Sequence, residues 1–492
     1  MISLYSILFL PLGMFAVVLF HESIYIPIWM SVFIFIGVSI FLLQKLRRKR
    51  LGVMILLLWL VYAIPFIHIV PYLWFDFDCD NPLILWGLAV NPYMLDEQII
   101  KLTAMIGAVG GIGFALGVSL NNKRIDRDTG LISKEYPKQA RVLSTPIWII
   151  WVTGGVALSW LAAPQETLFT AVYTTSASII ENANFSSAWM ISYVLLAFAL
   201  SDAILDRNLV RKAFKQQAIF WTIAFVVLFF QLLRGDRESV PFVFGALLVY
   251  FYWAAPITQK HRLKLPWVKI AIGGLLLVVV SMLLGAARHA LIDAENIGSI
   301  ILLFGELAQS EQIGISNLLY GTWSAALLTP LSVAGDHING LLSLNLGQDY
   351  LNLLLSIPPG FIADAVGYTR SLDSFTGPSW GMRYGIGGTH AIVVPFLNFR
   401  MIGVFLIPAL WAYLFTSYEK VALKRLSVIN LSFLCTVAMA SPHWLWYGEK
   451  AGVNALIIWF LLAFFYRVCK VPFHQSKVRR TLSPALHAVN HT

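Results

Sequence analysis

The chain has 492 residues, of which 58% are hydrophobic and only 12% charged, and its mean hydropathy is +0.75. Soluble domains carry about 25% charged residues, so a water-soluble fold is excluded: there is too little charge to cover its surface. The formal net charge of +10 would suggest nucleic acid in a soluble protein, but here the lysines and arginines sit in the breaks between apolar runs. They record membrane sidedness instead, and no nucleic-acid partner is expected.

The first run, SLYSILFLPLGMFAVVLF (3–20), has no basic region before it and no small-residue cleavage site after it, and reads as a retained first span. Further apolar runs lie near 25–43, 51–74, 99–120, 145–163, 187–205, 218–233, 240–256, 268–286, 401–417, 426–441 and 452–467. Crossing the hydrocarbon layer takes about 20 mostly apolar residues. The expected fold is therefore an all-α polytopic membrane protein of about twelve transmembrane helices. In this reading 1–286 holds about nine spans, 287–400 is one large external loop with short helices, and 401–492 holds about three more spans and a basic cytoplasmic tail. Within the fourth run, IGAVGGIGFALG (106–117) has small residues at four-residue spacing, which predicts close helix packing. The fifth opens on TPIW, with Pro146 suited to a first helical turn. In the long segment, ISNLLYGTWSAALLTPL reads as a re-entrant or interfacial helix.

Alternate loops collect 27 of the 35 lysines and arginines, from Lys45–Arg50 to Arg467–Arg480. Positive charge stays on the cytoplasmic face, so these loops are expected there, together with both termini. Of the eight other basic residues, Lys101 sits at a helix end. The remaining seven, Arg234, Arg237, Arg288, Arg370, Arg383, Arg400 and Lys450, fall on or near the external side, and six of them are arginine. A planar guanidinium binds phosphate through two parallel hydrogen bonds, as a lysine cannot. That pattern points to a phosphate or pyrophosphate ligand; the alternative is pairing with acids such as Asp236, Glu238, Asp293 or Asp373.

Two clusters stand out. QLLRGDRESVPFVFGALLVYF (231–251) puts Arg234 and Arg237 at the outer break between two spans, and Arg288 follows another span in LLGAARHAL. GMRYGIGGTHAIVVPFLNFRMIGVFLIPALW (381–411) holds Arg383 and Tyr384, a glycine-rich turn, His390, and Arg400 within an apolar run. His390 is either a proton acceptor for a sugar hydroxyl or a histidine satisfied at the membrane interface. Asp336 and His337 resemble an acid–base pair, although neighbours on a helix point about 100° apart. Glu449 and Lys450, in HWLWYGEKAG, read as an interface anchor. Cys79, Cys435 and Cys469 are too few for a disulfide framework. No zinc, Walker or nucleophile-elbow pattern occurs, so neither metal nor cofactor is expected. No transporter-like internal repeat is evident.

At these two clusters the sequence resembles the Wzy-type polymerases of O-antigen, enterobacterial common antigen and related oligosaccharide repeat units. The matching features are a Gly-x-Arg turn opening a span (RGDRESVPFVFGALL), a large loop in the C-terminal half, a proline-rich stretch (LSIPPGF), and a glycine-rich stretch leading into a span (GGTHAIVVPFLNFRMIGVFLIPAL). Arg237 matches the arginine of the turn, with Asp236 where a small residue is usual, and Arg288 matches a second basic position. The resemblance implies a GT-C-like, metal-independent glycosyltransferase of lipopolysaccharide synthesis in the bacterial inner membrane. Its donor and acceptor would be undecaprenyl-pyrophosphate-linked oligosaccharides, and a chain-length regulator protein would be a partner. Arg237 and Arg288 would hold the donor pyrophosphate, and His390 would be the general base. Arg234, Arg383, Tyr384, Arg400, Asp336 and His337 would contact substrate. The alternatives are an O-antigen ligase, which shares the architecture, and a flippase for the same lipid-linked oligosaccharide, against which the scarcity of charge at mid-span positions counts.

Overall fold

A computed structural model describes residues 26–47, 52–73, 93, 96–121, 145–161, 189–205, 324–355, 390–424, 427–449 and 452–468. Among them the only regular structure is helical. The predicted spans near 3–20, 218–233, 240–256 and 268–286 lie outside the described residues.

In chain order, α1 is Ile28–Arg47 and α2 is Val53–Ala63, which runs on into a 3-10 helix, Ile64–Leu73. Next come α3, Glu97–Leu120; α4, Thr145–Leu161; and α5, Trp189–Leu205. The C-terminal half supplies α6, Ser324–Ile338; α7, Gln348–Leu355; α8, Val393–Lys424; α9, Val428–Tyr447; and α10, Gly452–Val468. Five segments among the described residues are long and apolar enough to cross a membrane: α1, α2 with its 3-10 extension, α3, α8 and α9. The protein is a multi-pass, helical membrane protein. Its outer surface agrees. Trp29, Phe33, Ile36, Ile40 and Leu43 form an exposed apolar stripe along α1, and Phe460, Leu461, Phe464 and Phe465 do so on α10. Apolar patches of this size face lipid rather than water.

Polar caps set where helices start. The Asp96 side chain accepts from Gln98 N at 2.8 Å and Ile99 N at 3.2 Å, which starts α3 two residues before its apolar run. Ser427 caps α9 in the same way through Asn430 N, 3.1 Å.

Helix α3 is the centre of the bundle, packed by α1, α2, α6 and α8. Its glycines are the reason. A Cβ on Gly113 or Gly117 would strike the backbone carbonyls of Phe405 and Ala409, so α3 and α8 touch backbone to backbone, running parallel. On the adjoining face Trp59 sits against Gly111, Tyr62 against Gly110 and Phe66 against Gly107, an aromatic ladder from the antiparallel α2. The small-residue spacing of 106–117 thus does what its sequence predicts. A second group joins α5 to α4 and α9. There the buried Asp202 carboxylate accepts the Trp148 indole N–H at 2.7 Å.

Charged side chains tie one end of the bundle together. Glu419 Oε1 accepts from Met54 N at 3.1 Å, at the start of α2, where the helix dipole favours a carboxylate. Lys420 donates to the carbonyl of Asn121 and, at 3.0 Å, to its side-chain oxygen. The breaks after α1, after α3 and after α8 therefore share an end, as the alternation of basic loops requires.

Two features add to the sequence reading. Helix α6, which overlaps the stretch read as a re-entrant or interfacial helix within the long segment, is buried in the bundle against α3 and the 3-10 helix. Helix α8 begins at Val393 rather than 401 and is broken at Arg400, whose φ of 52° and ψ of −144° are not helical. The last turn of α6 closes with Leu341 N donating to Asp336 O (2.8 Å) and Gly340 N to His337 O (3.1 Å). Gly340 takes the φ of +68° that this ending needs.

Candidate functional site

Pro65 begins the chemistry of the region around His390. Proline has no N–H, so the carbonyls three and four residues earlier, Tyr62 and Val61, lose the donors that a 3-10 or α-helix would supply. Buried carbonyls need replacements. Trp446 Nε1 of α9 donates to Val61 O at 2.8 Å, and His390 Nε2 lies 3.1 Å from Tyr62 O. His390 Nδ1 accepts from Ile392 N at 3.2 Å, so the ring proton is on Nε2 and points at Tyr62. The ring is fully buried, edge-on to Tyr62 and Phe66 at 5.2 Å from each. Ala391 N adds a bond to Leu445 O, 2.8 Å. In this arrangement both ring nitrogens are engaged, and His390 acts as a joint between α2, α8 and α9.

From there the first half of α8 runs to Arg400 and turns back. A Cβ on Gly403 would collide with the Pro395 carbonyl, so the fold-back needs glycine there. The break also frees the Leu397 carbonyl, which takes Asn345 N at 3.2 Å. Asn398, wholly buried, anchors the same loop: its Oδ1 accepts from Gly347 N (2.9 Å) and Asp349 N (3.4 Å). Its amide nitrogen donates to Asp349 Oδ2 at 2.7 Å and to Val394 O at 2.8 Å. Asn345 Nδ2 gives Asp349 Oδ2 a further bond at 2.8 Å.

Arg400 sits at the turn. Its Nη2 donates to Leu342 O at 2.9 Å, and its guanidinium lies 5.5 Å from the centroid of the Phe396 ring. His337 meets the same ring edge-on at 5.3 Å, and Asp336 beside it is buried. The structure thus brings Arg400 and His337 together on Phe396, while His390 is held elsewhere, against α2. Arg234, Arg237, Arg288, Arg383 and Tyr384 lie outside the described residues, as does Lys450.

One acid that reads in the sequence as part of an interface anchor lies inside the packed structure. Glu449, just beyond α9, is 6% exposed. Its Oε1 accepts the Tyr350 hydroxyl at 3.3 Å, and Tyr350 stacks on Phe399 at 6.2 Å and 10°. Burial, with a smaller contribution from the Asp349 charge, pushes the Glu449 carboxyl up to about 8 against the opposing hydrogen bonds from Tyr350 and from its own backbone N–H. Burial and these two acids also raise the Tyr350 phenol. Adjacent to Lys450 in sequence, Glu449 resembles half of an interface anchor; nothing local announces its burial.

Helix α7 covers this polar set with its polarity reversed. Asp349 and Leu353 face inward, whereas Leu351, Leu354 and Leu355 are exposed, as are Leu341, Leu344 and Leu346 in the loop before it. No family model matches the chain, nor does any curated protein or solved structure.

Proposed function

We infer that the protein is a glycosyltransferase of about twelve spans, GT-C-like and with both termini cytoplasmic, in the bacterial inner membrane. It polymerises undecaprenyl-pyrophosphate-linked oligosaccharide repeat units into a surface polysaccharide at the outer leaflet. The observation that carries this reading is the reversed α7: leucines outward, and inward a buried Asp349–Asn398 pair, Asn398 standing two residues before Arg400 in the chain, with Tyr350 bonded to the buried Glu449. A lipid-linked glycan has both halves of that chemistry. Its polyprenyl tail suits an apolar outer face, and its sugar and pyrophosphate suit buried hydrogen-bonding groups and a guanidinium.

The arginine-rich basic residues away from the lysine-bearing loops, the Gly-x-Arg turn, and the proline- and glycine-rich stretches support the same conclusion from the sequence. In the proposed reaction a hydroxyl of one repeat unit attacks the anomeric carbon of the donor glycan. The carbon–oxygen bond to pyrophosphate breaks, and its electron pair leaves with the phosphate. Arg237 and Arg288 neutralise that leaving group, which is where charge stabilisation is worth most. Arg400, His337, Asp336 and Tyr384 contact the sugar chain, with Arg383 and Arg234 at the rim. His390 maintains the α2–α8 joint on which their positions depend.

Deleting the gene and separating the surface glycan by gel electrophoresis tests this. Single repeat units on the cell surface are the expected result. Absence of any attached glycan would instead indicate a ligase, and accumulation of lipid-linked units inside the cell a flippase. A cysteine at the exposed Ser343, in a background lacking the native cysteines, should react with an impermeant maleimide in intact spheroplasts.

A further inference from the structure

Glu449 carries an unexplained oxygen. Its Oε1 holds the Tyr350 hydroxyl, but Oε2 is buried with no hydrogen-bond partner in any other described residue, the carboxylate's one further contact being its own backbone N–H. A carboxyl oxygen taken out of water and left without a donor is costly, on the order of 1–3 kcal/mol, and such groups are kept where a ligand or a proton uses them. The setting is built around it. Tyr350, stacked on Phe399, fixes Oε1. Asp349, the residue before Tyr350, has its Oδ2 occupied by two amide groups.

We propose that Glu449, oriented by Tyr350, is the general base of the external site and takes the proton of the acceptor hydroxyl on Oε2. The assignment rests on the glycosyltransferase reading. As the acceptor oxygen bonds to the anomeric carbon, its O–H bond breaks and the proton passes to Glu449. The electron pair of the donor's carbon–oxygen bond leaves with pyrophosphate, and Glu449 returns its proton to water once the product has left.

The titratable groups that act on Glu449 from the elements packed around it are Asp349 and Tyr350 of α7. Asp349 favours the protonated form of Glu449 and Tyr350 the ionised form. A base tuned near the working pH is the efficient one, and Glu449 titrates near 8. His390, with both nitrogens engaged, has no comparable vacancy. Tyr350 is a positioning residue, since it reaches the chemistry only through Glu449.

Two readouts test the assignment. Dicyclohexylcarbodiimide modifies protonated carboxyls in apolar surroundings. In membranes containing the full-length wild-type protein, mass spectrometry should find Glu449 modified at pH 6 and at least about 10-fold less modified at pH 9.5, following its titration. Absence of modification at pH 6, or equal modification at both values, overturns the proposal without any variant. The second readout is glycan length. Glu449→Gln should accumulate in the membrane yet lower polymer synthesis by about 100-fold or more. Glu449→Asp should restore part of it with a displaced pH profile, and Tyr350→Phe should shift that profile while polymer persists. Full-length polymer from Glu449→Gln overturns Glu449 as base and leaves the glycosyltransferase reading intact. An unchanged surface glycan in the gene deletion sinks that reading itself.

Discussion

The indole nitrogen of Trp446 donates a 2.8 Å hydrogen bond to the carbonyl of Val61, across 385 residues of chain. That carbonyl lacks a helical donor because Pro65 stands four residues later. His390 does the same for Tyr62, so one proline is repaired by two distant side chains.

The first prediction concerns this repair. Trp446→Phe should destabilise the protein by about 1–3 kcal/mol, the cost of a buried carbonyl left without a donor. His390→Ala should cost at least as much, since it also removes a ring packed between Tyr62 and Phe66. Thermal unfolding of detergent-purified protein should show both variants melting below wild type. His390→Ala with an unchanged melting temperature but no polymer would instead support the catalytic role that the sequence suggests for it.

The glycine contacts between α3 and α8 give a second expectation. Gly113→Ala and Gly117→Ala each drive a methyl group into a backbone carbonyl, and overpacking of this kind costs about 1–3 kcal/mol. Gly37 and Gly154 have open space where a Cβ would sit, so alanine there should be neutral or mildly stabilising. Comparable membrane accumulation of all four variants would refute the backbone contact.

Arg400 separates strain from chemistry. A non-glycine residue in its backbone conformation costs about 1–3 kcal/mol. Arg400→Gly relieves that cost while losing the bond to Leu342, so its stability should stay near wild type. Arg400→Ala keeps the strained backbone and loses the bond, and should melt lowest of the three. Both variants should shorten the surface glycan if the guanidinium binds substrate. Full-length polymer from Arg400→Gly would remove Arg400 from the site.

Glu449 makes stability depend on pH in a fixed direction. An ordinary glutamate titrates near 4.5, and this one near 8 in the folded protein. Between those values the folded state holds a proton that the unfolded chain has released. Raising the pH therefore favours unfolding. Stability should be greatest below about 4.5, as far as Glu449 contributes, fall through the interval, and level off above about 8. Glu449→Gln should flatten this slope and melt above wild type at pH 8. A wild-type slope retained in Glu449→Gln would assign the pH dependence to another group.

The sequence by itself determined the membrane class, the approximate course of each described span, and the close packing at 106–117. These follow from properties local in the chain: enough apolar residues to cross a bilayer, and small residues at four-residue spacing. It also singled out Arg400, because an arginine inside an apolar run is conspicuous wherever it folds. Only the tertiary structure decided what those residues touch. His390 lies 328 residues from the carbonyl it serves, and Asn398 lies 49 from the aspartate it holds. The break in α8 depends on Gly403 meeting Pro395 and on a loop from α6 taking the freed carbonyl, neither of which a run of apolar letters encodes. Glu449 looks like any interfacial acid until α7 closes over it. Burial is set by what packs from elsewhere in the chain, and with it whether a carboxyl keeps its proton.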